Sequence, residues 1–419
     1  MKFIVFNYFI YFFLYVIMLI GVEIMKIIEL NEVQFKNYSK LHSSRNYFQT
    51  CEYAKINSNY NRLFLGFINE NDNTIMGAGL ILEKKIFGFN IGFVPGGFLI
   101  DYDNDSLFKD FITYLKEYLK SRKYVYLSVD NTSVYKMFDK NGEVIYFDTN
   151  IIKLLLDLSF VRSSKNSDMK VVLETEKTPD DTYKMFNSNT KRNIKLALKR
   201  SITIYKDENN NIDTLLNLNN KIDSNRIRAI IDNFNNDINK AEIYFAKINP
   251  EQYINNYRFL LKKEEDRNYN LSKIMQSSTS KRDSVVNKKM ESDRLIAKYN
   301  NEIIKATNIY TKYPDSALIG AILIIKNNRE IYFMDEVYNE ELKSFYSSHL
   351  IKWEIIKKYL TLGYKIFNFG SISNRDKRNG NYLFKMGFGG KVYECIGRYD
   401  LVINKWLYHF IKFIYNIKK

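Results

Sequence analysis

The sequence is poor in the residues that build covalent cross-links and metal sites. Its 419 residues include two cysteines, Cys51 and Cys395, and three histidines, His42, His349 and His409. So few thiols and imidazoles argue against a disulfide framework and against a zinc site made of Cys and His. They favour a cytosolic protein.

The sequence also lacks the motifs of several familiar chemistries. It has no Walker loop, no HExxH, no GxSxG and no dinucleotide-binding fingerprint. An enzyme with this sequence would therefore need a substrate that arrives already activated, and we predict neither a metal nor a bound cofactor.

Apolar and basic residues are abundant instead. Hydrophobic residues make up 46% of the chain and aromatic residues 16%, which is enough for the core of one large or two ordinary domains. Lys and Arg number 63 against 47 Asp and Glu, a formal net charge of +16. This charge favours a polyanionic partner such as tRNA, a nucleotide-linked substrate or an anionic membrane face, although an AT-rich genome would also enrich lysine.

Residues 1–24 form an apolar N-terminal segment. The run from Phe3 to Val22 is interrupted by Asn7 alone and is long enough to cross a bilayer as a helix. It is either a membrane anchor or an over-extended gene start, because Met25 to Leu30 resembles the beginning of a first strand.

After Met25, strand and helix signals alternate, which predicts a mixed α/β (α+β) fold. The pattern occurs twice, and we predict two domains of one α/β type over residues 25–165 and 166–398. The predicted elements are strands over 63–68, 78–83 and 124–129 with a helix over 107–120, then strands over 317–325, 330–334 and 364–369 with a helix over 341–362.

Two further segments have helical patterns. Residues 250–307 carry apolar positions at multiples of seven on both sides of a polar stretch, which predicts an antiparallel coiled-coil arm inserted in the second domain. Asn268 and Asp293 interrupt its seam. The arm either binds nucleic acid or a partner, or is a spacer with a solvated face. Residues 399–419 predict an amphipathic C-terminal helix that lies on a membrane or packs on the first domain.

The stretch from Asn381 to Gly397 is the most informative part of the chain. It places Lys385 beside Phe384, just before a glycine turn and a strand. A lysine held against an aromatic ring can present its charge to an oxyanion or phosphate in a partly desolvated pocket. The alternative for this string by itself is a surface lysine before a hairpin.

Other candidate residues have weaker signals. Lys191, Lys195 and Lys199 repeat every four residues beside Arg192, so they form a basic helix face that either binds phosphate or is simply solvated. Asp130 follows an apolar strand, where it would orient a substrate amine or cap the next turn. His349 lies on an apolar stripe and is predicted to be a histidine at the edge of the core.

Together these segments resemble the FemA/FemB/FemX family of aminoacyl-tRNA-dependent peptidoglycan-bridge transferases. The stretches that carry the resemblance are 48–54, 93–102, 190–195, 353–356, 363–370, 384–385 and 393–397. The resemblance implies two GNAT-like acyltransferase domains, with the arm inserted in the second. It also implies transfer of an amino acid from its tRNA ester to an amine of lipid II or UDP-MurNAc-pentapeptide, near the inner face of the cell membrane, with peripheral or anchored membrane contact.

The resemblance assigns roles to particular residues. It places Lys385 at the reaction centre, with Phe384 shaping the pocket. The substrate-binding residues that it suggests, together with the basic helix, are Lys55, Asp101, Asp130, Lys191, Arg192, Lys195 and Arg226.

The sequence departs from the family pattern at several positions. Asp335 and Glu336 stand where members usually have two glycines, Gly96 stands where they have an arginine, and Asn57 stands where a lysine is expected. These departures leave a second reading open, a non-catalytic protein that binds tRNA, a partner or a membrane on the same scaffold. An acetyl-CoA-dependent N-acetyltransferase ranks last, because no glycine-rich pyrophosphate loop is evident.

Overall fold

The computed structural model describes residues 24–163, 168–218, 222–277, 282–327 and 330–417. The apolar run at residues 3–22 and most of the polar stretch in the predicted arm therefore lie outside the described residues. Within the described ranges, no helix is both long enough and apolar enough to cross a bilayer.

The described chain alternates strands and helices as predicted. The strands are β1 (Met25–Glu29), β2 (Asn61–Asn69), β3 (Ile75–Ile86), β4 (Phe89–Gly96), β5 (Tyr124–Phe138), β6 (Val144–Phe147), β7 (Phe160–Arg162), β8 (Met169–Glu174), β9 (Ile202–Asp207), β10 (Asn239–Ile248), β11 (Ala317–Asn327), β12 (Glu330–Tyr338), β13 (Ile366–Ile372) and β14 (Lys391–Val402). The helices are α1 (Glu32–Leu41), α2 (Cys51–Ile56), α3 (Asp105–Ser121), α4 (Asn150–Asp157), α5 (Pro179–Met185), α6 (Ser188–Lys199), α7 (Ile212–Leu218), α8 (Ser224–Asn233), α9 (Pro250–Ser277), α10 (Arg282–Lys312), α11 (Ser347–Thr361), α12 (Gly380–Met386) and α13 (Lys405–Ile417).

The chain divides into two compact units. Of the described residues, those within 1–137, 144–168 and 393–419 form the first unit, and those within 138–143 and 169–392 form the second. The predicted second domain extended to residue 398, but Tyr393–Arg398 belong to the first unit. The reason is that they precede the part of β14 that pairs with β7 there, through Tyr399 opposite Arg162 and Leu401 opposite Phe160.

The first unit is built on an antiparallel meander. Strands β1 to β4 pair in chain order, β5 lies parallel to β4, and β14 follows β5. Helix α3 connects the two parallel strands, as such a crossover requires. Its apolar face packs into a core that includes Phe67 and Phe98.

The second unit repeats the same arrangement. Strands β9 to β12 pair as an antiparallel meander, β13 lies parallel to β12, and β8 pairs with β13. Helix α11 is the crossover here. The predicted duplication of one α/β unit is therefore present. In each unit, the sixth strand of the sheet, β14 in the first and β8 in the second, is far along the sequence from the strand it pairs with.

Three predicted elements have different bounds in the structure. The helix predicted over 341–362 is a 3₁₀ turn at Glu340–Phe345 followed by α11, because Tyr346 between them has a left-handed φ of 63°. The C-terminal helix begins at Lys405 rather than near residue 399, since Tyr399 and Leu401 are buried strand residues. Strand β5 continues to Phe138, so Asp130 lies within a strand and not at its end.

Helices α9 and α10 occupy the segment predicted as an arm and pack against each other. Asn268 and Asp293 interrupt the predicted seam. In the structure, Nδ2 of Asn268 donates a hydrogen bond to Oδ1 of Asp293 at 2.7 Å. At the base, Arg200 is buried and forms two hydrogen bonds with Glu302 at 2.9 and 3.0 Å. Burial opposes ionisation of Glu302, but the bonds from Arg200 and Tyr253 lower its pKa to about 2, so this ion pair fixes α10 to the body of the second unit.

Candidate active site

Helix α12 holds Lys385 in a half-buried position. Asn379 caps the helix start by accepting hydrogen bonds from the N–H groups of Asn381 and Tyr382. The Nζ atom of Lys385 donates to the carbonyl oxygen of Ser371 on β13 at 2.7 Å. Burial, with a smaller contribution from the nearby charge of Lys352, lowers the pKa of Lys385 to about 8, against the opposing effect of Glu336. The side chain therefore changes charge close to neutral pH, which an exposed lysine does not do.

Phe384 forms an apolar wall beside this amine. Its ring meets His349 edge-on, with 4.8 Å between centroids, and Phe388 at 5.6 Å. On another side, Nζ of Lys352 lies 4.8 Å from the Phe384 ring centroid. The predicted Phe-Lys pair thus borders a group of charged and aromatic side chains, and Lys385 is half-buried.

Lys352 and Glu336 form an ion pair that the sequence did not reveal. The Lys352 side chain on α11 is 4% exposed and that of Glu336 on β12 is 25% exposed. Lys352 also donates to Ser348 Oγ at 3.3 Å. A buried lysine needs a counter-charge, because an unpaired ammonium in this environment would be strongly unfavourable. Lys352 stands among apolar residues in a helix that is buried on most sides, and that context was the available signal.

His349 is neutral in this environment. Burial and the charge of Lys352 lower its pKa to about 4, against the weaker opposing effect of Glu336. Its Nε2 atom lies 3.3 Å from Nδ2 of Asn193 on α6. The predicted role at the edge of the core agrees with this position, and the ring also serves as one side of the Phe384 wall.

The basic helix α6 begins next to α12. Asn187 caps α6 and its N–H donates to the carbonyl oxygen of Gly387 at 2.9 Å. A Cβ atom at position 387 would lie 2.3 Å from Thr190 Oγ1, so this approach requires glycine. Lys191 donates to the Lys184 carbonyl oxygen at 2.7 Å, whereas Arg192 and Lys195 are exposed. The helix thus brings exposed cations into the unit that contains Lys385.

Arg226 on α8 is paired with one of the two unexpected acidic residues. It contacts both carboxylate oxygens of Asp335 at 3.2 Å. The neighbouring Glu336 is paired with Lys352. Both charges that stand where family members usually have glycines are therefore balanced by cations within the second unit.

The candidates in the first unit lie in surface contacts. Lys55 pairs with Glu32 at 3.1 Å, and both side chains are about half exposed. Asp101 accepts from the N–H of Asp103 at 3.0 Å in a local turn. Asp130 lies 3.4 Å from Arg398. In the second unit, α6 begins beside α12, and Arg226 is paired with the residue that precedes Glu336. The first-unit candidates lie at the surface of their own unit.

Two other features concern ligands. Gly96 and Gly97 have φ values of +74° and +81°, and a Cβ atom at position 96 would lie 2.4 Å from Asn46 Oδ1, so the end of β4 requires glycine there. Across the described ranges, no group of three or more His, Cys, Asp or Glu side chains could hold a metal ion.

Comparison with known proteins supports this fold. A solved structure titled "Crystal structure of FemX" superposes with a TM-score of 0.68 at 18% identity, covering 92% of this chain and 99% of that one. The lipid II:glycine glycyltransferase of Staphylococcus epidermidis is 24% identical over 412 residues, which covers 93% of this chain and 95% of that protein. The protein of the same description from Staphylococcus haemolyticus is 22% identical over 360 residues, covering 81% and 84%.

The duplicated α/β units and the relatives named glycyltransferases define an enzyme of the aminoacyltransferase class. The model of the FemAB family matches residues 30–416, nearly the whole chain. The protein belongs to the FemAB family.

Proposed function

We propose that the protein transfers an amino acid from an aminoacyl-tRNA to an amine on the stem or bridge peptide of a peptidoglycan precursor. The acceptor is lipid II or UDP-MurNAc-pentapeptide. The observation that carries the proposal is Lys385, a half-buried amine with a pKa of about 8 beside Phe384. The names of the related glycyltransferases make glycine the first amino acid to test.

The chemistry needs little beyond positioning and charge. The acceptor nitrogen attacks the ester carbonyl carbon, an amide bond forms, and the bond to the ribose oxygen breaks. The amine proton leaves with that ribose oxygen. Protonated Lys385 stabilises the negative charge that develops on the ester oxygens, and the Phe384 wall keeps water from weakening this interaction.

The anionic donor suits the charge of the protein. The net charge of +16 and the exposed Arg192 and Lys195 favour a polyanion such as tRNA. A tRNA donor also requires the catalytic body to lie in the cytoplasm, where charged tRNA is found, and a lipid-linked acceptor would bring it to the inner face of the membrane.

The test is transfer of a radiolabelled amino acid from a charged total-tRNA pool to each purified acceptor. We expect Lys385→Ala to lower the rate roughly 10²- to 10³-fold, the usual effect of removing one oxyanion-stabilising group. Lys377→Ala removes an exposed lysine of the same unit and should leave the rate unchanged. Ribonuclease treatment of the pool should abolish transfer.

Three results would contradict the proposal. The first is transfer that survives ribonuclease, which would exclude tRNA as the donor. The second is equal rates for wild type and Lys385→Ala. The third is no transfer with any charged tRNA to either acceptor, which would favour the binding protein on the same scaffold.

A further inference from the structure

Helix α13 of the first unit is fixed to its unit by one face. Tyr408 and Ile411 are buried and pack with Val125 and Tyr126 of β5. The Tyr408 hydroxyl donates to the buried carboxylate of Asp400 at 2.9 Å, and Lys412 contacts the same carboxylate at 2.8 Å. The orientation of the helix on the unit is therefore well determined.

The opposite face of α13 exposes large aromatic rings. Trp406 is 74% exposed, Phe410 45% and Phe413 63%. The rings of Trp406 and Phe410 are parallel within 5°, with centroids 5.9 Å apart. A row of exposed rings at helical spacing is an unfavourable surface in water and marks an interaction site.

The turn between β3 and β4 adds to this surface. Phe87 at the turn is 77% exposed. Phe89, two residues later, packs against the same small cluster as Tyr408 and Ile411. The exposed ring of Phe87 therefore lies two residues from a strand residue that packs against the α13 cluster.

Exposed lysines lie close to these aromatic residues along the chain. Lys85 near the end of β3, two residues before Phe87, and Lys405 at the start of α13 are exposed. Lys123 is also exposed, and its carbonyl oxygen accepts from the N–H of Asn90 just after the turn. The sequence of α13 contains no Asp or Glu. Aromatic rings flanked by lysines, with no acidic residue on the helix, are the chemistry of a helix that lies in the interface of an anionic bilayer.

We propose that this surface, formed by Phe87, Trp406, Phe410 and Phe413 with these exposed lysines, docks the first unit on an anionic lipid membrane. The rings enter the boundary between headgroups and acyl chains, and the lysines contact lipid phosphates. This docking does not depend on the proposed transferase activity, because it requires only lipid.

Tryptophan fluorescence of the full chain tests the proposal at the site itself. The chain has two tryptophans, and Trp353 is 8% exposed whereas Trp406 is 74% exposed. With vesicles of phosphatidylcholine and phosphatidylglycerol, we expect a blue shift of Trp406 emission and quenching by brominated acyl chains. Pure phosphatidylcholine should bind more weakly, and high salt should weaken binding to the anionic vesicles. Trp406→Phe keeps the apolar surface and should remove the signal.

Substitutions separate this surface from the rest of the protein. The double variant Phe410→Ser with Phe413→Ser should bind the anionic vesicles about tenfold more weakly, or weaker still. The reason is that serine lacks the favourable free energy of transferring an aromatic ring from water into lipid. Phe259→Ser is the matched control, because Phe259 is 70% exposed on α9 of the second unit. Unchanged thermal unfolding of the double variant would show that it still folds.

Two outcomes would overturn the proposal. If the protein binds vesicles while Trp406 stays accessible to an aqueous quencher, another segment makes the contact. If Trp406 emission shifts with protein concentration in the absence of lipid, a second copy of the chain covers this face. Either result is independent of the transfer assay, which can succeed or fail separately.

Discussion

Helices α3 and α11 occupy the same place in the two units, yet their buried faces differ. Each connects a pair of parallel strands. The side chains that α3 buries are Phe108, Phe111, Ile112, Leu115 and Leu119. Helix α11 buries Ser347 and Lys352 among its apolar residues and holds the half-buried His349. Because α3 buries an apolar face at the equivalent crossover, the fold itself does not require the polar groups of α11.

The N-terminal ends of α3 and α11 also differ, because a side chain caps α3 and none caps α11. Asn104 caps α3 by accepting from the N–H of Leu107 at 3.1 Å. Helix α11 instead begins after Tyr346, which has a left-handed backbone and gives no side-chain cap. Strain of this kind persists where the surrounding structure enforces it, and it is common near functional sites.

Removing apolar packing from α3 should have the largest effect on stability. Phe111 is 1% exposed and its ring contacts Phe67 and Phe98, at 5.5 and 4.9 Å between centroids. We expect Phe111→Ala to lower the free energy of unfolding by about 3–5 kcal/mol, measured by urea titration. The residual folded protein should keep the pH dependence of wild type. A loss below about 1 kcal/mol would mean that this core is not tightly packed.

Breaking the ion pair of α11 should reduce both stability and the pKa of Lys385. Glu336→Gln leaves Lys352 buried without its counter-charge, at a cost of about 3 kcal/mol. The carboxylate of Glu336 raises the pKa of Lys385, so its removal should make that pKa fall further below about 8. Urea titration and the pH profile of transfer measure the two effects.

Asp130→Asn is the matched control for that variant in the first unit. The Asp130–Arg398 pair is exposed to solvent, so its loss should change stability by about 1 kcal/mol or less. If Glu336→Gln and Asp130→Asn lower the free energy of unfolding by the same amount, the buried pair of the second unit contributes no more to stability than the exposed pair of the first.

Transfer and stability should respond to pH in opposite directions. If protonated Lys385 stabilises the oxyanion, single-turnover transfer falls as pH rises through about 8, the folded-state pKa. The folded pKa is lowered, so the unfolded chain binds this proton more tightly, and the Lys385 contribution to stability becomes more favourable as pH rises from about 8 toward the ordinary lysine value. In Lys385→Arg the fall in transfer near pH 8 should vanish, because arginine keeps its charge. A transfer rate that rises through pH 8 in the wild type but not in Lys385→Arg would instead identify Lys385 as a base.

Surface substitutions in the first unit should have the smallest effect on stability. Lys55→Ala breaks an exposed ion pair and should change the free energy of unfolding by about 1 kcal/mol or less. If Lys55 binds the precursor, the KM for that acceptor should rise severalfold while kcat stays constant. An unchanged KM would remove Lys55 from the substrate-binding residues.

The site features that could be predicted from the sequence are those formed by residues close together along the chain. The adjacency of Phe384 and Lys385, the glycine turn after them and the basic spacing of α6 are all visible along the chain. Lys352 and Glu336 were not identified as a pair, because their partnership joins a helix to a strand and local sequence patterns do not report such contacts. The Asp335–Glu336 departure left a non-catalytic reading open, and the structure shows that these two charges are paired with Arg226 and Lys352.

The sequence by itself determined the α/β class, the duplication, the place of the two long helices and the family, because hydrophobic periodicity and short motifs are local properties. Tertiary structure decided which buried groups meet. It gave Lys385 its lowered pKa by surrounding it with the Lys352 charge and low-polarity packing, and it divided α13 into a packed and an exposed face. A pKa depends on burial and on charges that are distant along the chain, and the exposure of a ring depends on what packs against it, so neither can be obtained from the order of residues.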